Sequence, residues 1–268
     1  MRQFFVAGAL AIGLVGVAHA DDAALKAAIA SSQRTPAYVQ RDGARHPYQT
    51  LTFFGIKPTM TVVELSPGGG WYTEILAPYL RDKGKYIAGS ASPDSSNEEL
   101  RGFALKFQKK MAADPARFGK VKVGVFEPPA HLNYAPPGSV DMVLTFRNIH
   151  NWIALGHGEA RKVFKSAYDS LKKGGVFGVV EHRLPASMTQ DATAGTGYVH
   201  ESYVIRLAED VGFKLAAKSE INANPKDTAD HPNGVWALPP TYRNKDVDRA
   251  KYKAIGESDR MTLRFVKP

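Results

Sequence analysis

The chain of 268 residues contains no cysteine. That excludes disulfides, thiolate metal sites and a catalytic thiol together, and leaves core packing as the source of stability. It also lacks any polybasic run, because its 35 Lys and Arg residues are scattered along the whole length among 26 Asp and Glu. The formal charge of +9 therefore argues against nucleic acid as a partner and favours anionic lipid, cell-wall material or small acidic molecules. Beyond the first twenty residues no apolar run is long enough to span a bilayer. Internal repeats and low-complexity tracts are absent as well, so one domain is expected.

What is present begins with a leader-like segment. Arg2, an uncharged apolar run over residues 4–17, and Ala18-His19-Ala20 before Asp21 read as a secretory signal cleaved after Ala20. The expectation is a periplasmic protein of residues 21–268. Residues 21–54 are expected to form an N-terminal helical extension, a helix-prone entry followed by a polar connector rich in Arg, Pro and Gly.

From residue 55 short β-branched runs alternate with helical periods. Strands are predicted over residues 61–65, 85–88, 120–126, 140–146, 176–180, 213–221 and 261–266. A helix over residues 71–80 follows the first. Leu100, Phe103, Ala104, Phe107 and Met111 recur at the spacing of one buried helical face; so do Ala160, Val163, Phe164, Ala167 and Leu171, and then Val204, Leu207, Ala208 and Val211. Lys172-Lys173-Gly174-Gly175 reads as a helix stop. Six strands separated by helices imply a doubly wound, mostly parallel α/β sheet, and a seventh reached without a core helix suits an antiparallel hairpin.

Ligands of such sheets bind outside the carboxyl ends of the strands. Here those ends are polar: Glu64 and Ser66, Ser90, Glu127, Arg147 and Asn148, and Glu181-His182-Arg183. The turn Pro67-Gly68-Gly69-Gly70 lets the backbone approach a ligand closely, and the helix after it offers free amide donors. Arg147 can pair with a carboxylate, and His150 is a candidate base near neutral pH. His182 ends the fifth strand. His200, four residues before Val204, is expected on the same rim with Glu201, which makes His150, His182, His200 and Glu201 the candidate catalytic set. No metal is assigned, since Val204 stands where a His-Glu-x-x-His pattern would need its second histidine. The long connection over residues 225–258 is expected to act as a lid, with His231, Trp236 and Tyr242 walling the pocket. Glu257, Asp259 and Arg260 read as an exposed ion-pair cluster.

Taken together, the order of elements, Gly55-Ile56-Lys57-Pro58-Thr59-Met60-Thr61-Val62-Val63-Glu64-Leu65, the Gly68-Gly69-Gly70 turn, Ser139-Val140-Asp141-Met142-Val143-Leu144 and Leu171-Lys172-Lys173-Gly174-Gly175-Val176-Phe177 resemble class I S-adenosylmethionine-dependent methyltransferases. More narrowly, the chain resembles an exported bacterial branch of predicted methyltransferases. The resemblance implies a Rossmann-like sheet of seven strands in the order 3-2-1-4-5-7-6, the last antiparallel. It also implies S-adenosylmethionine as cofactor. Glu64 would hold its amino end, Gly68 and Gly70 would line the turn, and Ser66, Gly69, Ser90, Arg147 and Asn148 complete the cofactor set.

Two positions depart from the family pattern. Its first glycine is Ser66, followed by Pro67, which stiffens the turn. The carboxylate that ends the second strand in many members is replaced by Gly89 and Ser90, and the first acid downstream is Asp94. Either Asp94 folds back, or the ribose is held weakly, or the site takes another ligand. Three functions stay open: methyl transfer to a small or envelope acceptor, a different reaction using His150, His182 and Glu201, and ligand binding in the periplasm without turnover.

Overall fold

The computed structural model describes residues 12–268, with side chains from residue 21 onward. The basic start at Arg2 and the first part of the apolar run lie outside the described residues, and the expected cleavage point after Ala20 falls inside the first helix. Among the described residues no helix is long and apolar enough to cross a membrane.

Helices α1 (Ile12–Ile29), α2 (Pro36–Val39), α3 (Asp42–Arg45) and α4 (Pro47–Phe54) precede strand β1 (Thr61–Leu65). Then come α5 (Thr73–Leu80), β2 (Lys85–Ser90), α6 (Glu98–Ala113), α7 (Pro115–Phe118), β3 (Lys122–Val125), β4 (Val140–Phe146), α8 (Ile149–Ala154) and α9 (Glu159–Ser170). β5 (Leu171–Leu184), β6 (Val199–His200), α10 (Glu201–Glu209), β7 (Lys214–Ser219), α11 (Arg249–Ile255) and β8 (Arg260–Val266) complete the chain.

The sheet runs β3-β2-β1-β4-β5-β8-β7. Pairing is parallel from β3 to β5, and β8 is antiparallel to both its neighbours. This is the expected order with one addition: β5 overruns the sheet and pairs through Arg183 and Leu184 with the two-residue β6. At its other end β5 begins at Leu171, so Lys172 to Gly175 is not a helix tail. The register jumps there from Val140 opposite Leu171 to Met142 opposite Val176, a bulge that Gly174 turns with a φ of 77°.

Both faces of the sheet are covered, which is why β1 carries apolar residues on both of its sides. Val63 and Leu65 point into a core shared with α8, α9 and α10, whereas Val62 points into a second core under α1, α4 and α5. Ala104, Phe107 and Met111 of α6 join the second face as its spacing predicts. Phe103 does not; it is 50% exposed, because the first turns of α6 overhang the carboxyl edge of the sheet instead of its face.

Residues 21–54 pack on the sheet and on the glycine turn. Arg34, only 2% exposed, forms a two-pronged ion pair with Asp42 at 2.6 and 2.8 Å. Glu74 of α5 accepts from the Thr35 amide at 2.8 Å and the Thr35 hydroxyl at 2.6 Å, and pairs with Lys110 at 2.7 Å. Phe54 lies on β5 at Gly178, where a β-carbon would come within 2.7 Å of Leu144 and 2.9 Å of the Phe54 ring.

Gly178→Val is therefore expected to lower unfolding free energy by roughly 1–3 kcal/mol through overpacking, and Phe54→Ala by about 3–5 kcal/mol through the cavity it leaves. The double variant should lose less than the sum, since the space vacated by Phe54 receives the new methyls. Urea denaturation of the four proteins measures the coupling, and strict additivity would mean that the two sites are independent.

Candidate active site

The carboxyl ends of β1, β4 and β5 open into a cavity of about 360 Å3, and those of β2 and β3 into one of about 410 Å3. The two share Ser66, Pro67, Gly68, Asn148 and Asn151 as a common wall. A shallow cavity of about 820 Å3 lies at the opposite rim, against residues 132–137 and α9, away from the strand ends.

The turn that divides the two working cavities holds an uncommon backbone. Ser66 adopts a φ of 52°, so the residue in the place of the family's first glycine keeps the left-handed conformation that glycine favours. Gly68 follows at 56°, and a β-carbon there would meet no protein atom, only the open space between the cavities. Asn148 ties the turn to β4, its amide donating to the Leu65 carbonyl at 3.0 Å and to Thr145 Oγ1 at 3.1 Å. Tyr38 of α2 donates to the Gly69 carbonyl at 2.8 Å, and Trp71 returns a bond to the Tyr38 carbonyl at 2.9 Å. Gly69 lines the first cavity. Gly70 lines neither; its α-carbon faces Phe107 and Thr73, so its part is close packing of the turn.

Glu64, 3% exposed, reaches the first cavity from β1. Tyr86 donates to it at 2.5 Å, with Thr73 Oγ1 at 3.4 Å. Burial outweighs both bonds and pushes its carboxyl up to about 7. The second cavity is lined by Leu100, Phe103, Phe126, Trp152 and Leu155, with Ser90 at its edge. Asp94 is exposed and does not fold back into it. Glu127, from the end of β3, enters instead, accepting from the Ser92 amide at 3.0 Å and the Ser95 hydroxyl at 2.6 Å.

At the far side of the first cavity, β5 and α8 form a compact histidine cluster. Glu181, fully buried, accepts from the amides of Ile149 at 2.5 Å and His182 at 2.8 Å, and lies 3.0 Å from His150 Nδ1. With its proton on Nδ1, toward the carboxylate, His150 would keep a lone pair on Nε2, and the ring lines the cavity. His182 Nδ1 bonds Ser258 Oγ at 2.6 Å. Burial, then the neighbouring His150 and arginines, push His182 well below the ordinary histidine value, so it stays neutral. His150, Glu181 and His182 bring potential ligand atoms within 4.8 Å of one another, a grouping that sequence spacing does not disclose.

His200 and Glu201 are not in this cluster. His200 sits in β6, before the helix, with φ −65° and ψ 133°, so the four-residue helical spacing to Val204 does not apply to it. Its Nε2 bonds the Met188 carbonyl at 2.9 Å, and Glu201 pairs with Lys218 at 2.5 Å on an outer face. In the late connection Trp236, Pro239 and Pro240 do roof the first cavity. His231 and Tyr242 do not wall it: His231 is buried against Asp227 at 2.8 Å, and Tyr242 lies under Arg249.

Arg260 is buried and the Glu257 side chain is 10% exposed, so they are not an exposed pair. Glu257 accepts from Arg41 Nε at 2.6 Å and Arg260 Nη1 at 2.9 Å, with Arg45 Nε at 3.5 Å. Burial opposes its charge, but the Arg41 bond and the Arg260 and Arg45 charges hold its carboxyl down at about 2. Arg41 and Arg45, together with Tyr38, enter the cavity from the connector between α1 and α4, which sequence reasoning does not single out. The signal available in the sequence is three arginines, Arg34, Arg41 and Arg45, spaced through a stretch of twelve residues that contains a single acid, Asp42.

The raised carboxyl of Glu64 has a stability signature. A folded value of about 7 against the ordinary 4.5 means that its contribution is complete below pH 4.5 and is lost as pH rises through 7. The wild-type thermal midpoint should thus fall across that window, and Glu64→Gln should flatten the fall. An unchanged slope in the variant would assign the dependence to other groups.

No family model and no curated protein matches the chain. Solved structures do. A SAM-dependent methyltransferase from Aquifex aeolicus superposes with a TM-score of 0.56 at 16% identity, over 92% of this chain and 99% of its own. Geranyl diphosphate C-methyltransferase from Streptomyces coelicolor A3(2), solved with S-adenosyl-L-homocysteine, gives 0.54 at 13% identity, over 90% and 88%. The 4+2 cyclase SpnF gives 0.58 at 13%, over 94% and 95%. Cyclase and methyltransferases share the architecture, and the chain has that Rossmann-like methyltransferase fold.

Proposed function

We propose that this protein is an S-adenosylmethionine-dependent methyltransferase acting on a small acceptor, exported through the leader-like residues 1–20. The observation that carries the reading is the pair of cavities joined at Gly68, one apolar and aromatic, the other lined by a buried carboxylate and cations. A ligand with a flat base, a sugar and an amino-acid end fits that division. Phe103, Phe126 and Trp152 would hold the base, Ser90 and Glu127 the sugar, and Glu64 the ammonium, whose charge favours the ionised carboxyl that burial disfavours.

The bound cofactor supplies an electrophilic methyl group. The chain supplies orientation, exclusion of water and a base. Trp236 and the Pro239-Pro240 pair close the cavity above His150, and the Trp236 ring centre lies 5.9 Å from that of His150. His150 Nε2, steered by Glu181, takes the proton from the acceptor's nucleophilic atom. Neutral His182 flanks it at 5.5 Å between ring centres and adds no charge to oppose that transfer. The same three residues favour one alternative, a divalent ion held by His150, Glu181 and His182.

Calorimetric titration with S-adenosylmethionine and its demethylated product tests the cofactor assignment, and absence of binding to both would remove it. Gly68→Val should abolish that binding and lower stability by about 1–2 kcal/mol, the strain of a side chain at positive φ; normal affinity would show that the turn is not the cradle. With a labelled methyl donor and an envelope extract as acceptor source, His150→Ala should lower transfer by roughly 10²-fold at unchanged cofactor affinity. A stoichiometric ion in the purified protein, lost in His182→Ala, would favour the metal reading. N-terminal sequencing of protein from fractionated cells tests export: Asp21 is expected, and Met1 in the cytoplasm would overturn it.

A further inference from the structure

The floor of the first cavity carries more positive charge than its carboxylates balance. Arg41, Arg45 and Arg147 line it, with Arg260 behind them, and the acid they share whose charge is held firmly is Glu257. Arg147 lines the cavity and, among the described residues, its side chain forms no ion pair or hydrogen bond. Arg45 and Arg260 are each 3% exposed. Buried Nη2 of Arg41, Nη2 of Arg45 and Nε of Arg260 have no partner.

An arginine does not shed its proton in a protein, so this field cannot be relieved by titration. Burial disfavours the Arg45 and Arg147 cations, and the charges of the neighbouring arginines oppose them further. Glu64, the other acid of the cavity, is itself pushed toward neutrality. An unpaired cluster of this kind persists only where a ligand completes it. The guanidiniums are also held stiffly: Arg45 lies 4.6 Å above the Trp71 ring, and Arg41 is anchored by Glu257.

We propose that the acceptor is a small molecule bearing a phosphate-type dianion, which Arg41, Arg45 and Arg147 bind at the floor of this cavity. Four guanidiniums against Glu257 leave an excess of three charges. The single carboxylate of the cofactor would balance one of them and Glu64 would meet its ammonium, so at least two remain for the acceptor, before the sulfonium adds its own. Forked donors on a cavity floor match a tetrahedral oxyanion better than a lone carboxylate. The 360 Å3 volume under Trp236 and the two prolines excludes a bulky carrier. That this ligand accepts a methyl group rests on the methyltransferase reading; the oxyanion site itself does not.

The test uses inorganic phosphate on the full chain, at constant ionic strength, with and without saturating S-adenosylhomocysteine. Tryptophan fluorescence reports binding, because Trp71 contacts Arg45 and Trp236 roofs the cavity. Phosphate is expected to bind in both conditions and to raise the thermal midpoint. Arg147→Gln should weaken phosphate by at least roughly tenfold, yet raise the midpoint of the phosphate-free protein by relieving repulsion. Arg147→Lys keeps the charge and loses the fork, so it should fall between the two. Complete displacement of phosphate by S-adenosylhomocysteine would mean that the arginines serve the cofactor's own carboxylate, and would overturn the proposal. So would equal phosphate affinity in wild type and Arg147→Gln, or no binding at all. Phosphate binding without any binding of S-adenosylhomocysteine would keep the oxyanion site and remove the methyltransferase reading.

Discussion

Glu257 accepts from Arg41 and Arg260 and lies beside Arg45, so one partly buried carboxylate joins the N-terminal connector, the end of the late loop and the last strand. Each of those segments brings part of the cavity wall. The connector carries Tyr38, Arg41 and Arg45; the loop carries Trp236 and Ser258; β8 runs beside β5, whose end holds Glu181 and His182. Without the carboxylate, three guanidiniums would face one another with two of them, Arg45 and Arg260, buried, which costs more than the loss of a surface ion pair. The roof, floor and histidine edge of the cavity are therefore coupled through one electrostatic contact.

Strain in the backbone is placed where the site needs it. Ser66 and Arg147 both have positive φ, 52° and 64°, at the ends of neighbouring strands β1 and β4. Those conformations turn the chain sharply away from the sheet and aim the glycine turn and α8 at the ligand edge. Asn148 joins the two bends by donating to Leu65 and Thr145. The cost of each bend is of order 1–3 kcal/mol and is sustained by the sheet on one side and the packed connector on the other.

Much of this is legible in the primary structure, though unevenly. The parallel sheet follows from alternation of apolar runs with helical periods, because a parallel neighbour demands a crossover helix, while the order of its strands was implied by the family resemblance. Glu64, Gly68, Arg147, His150 and His182 are legible for the same reason: each stands at a strand end or just after one. His200 is misplaced by sequence because a helical spacing does not hold for a residue that the overrun of β5 keeps in a short strand. Phe103 reads as core, although its spacing is shared by residues that line an edge. Glu181 is visible as a strand end, but nothing local marks it as the partner of His150.

The sequence by itself determined the alternation of strands and helices, the two-sided core and the set of polar strand ends, since these depend on periodicity and on local backbone rules, whereas the order of the strands came only from the family resemblance. Only the tertiary structure decided that Arg41 and Arg45 belong to the site, that Glu257 is held among arginines, and that Glu127 takes the edge where β2 offers no acid. Those facts depend on contacts between segments far apart in the chain, such as Arg41 with Glu257 and Arg260 with Ala44. The charge of a side chain is written in the sequence; whether it is solvated on a surface or left partnerless in a cavity depends on what the rest of the chain packs against it.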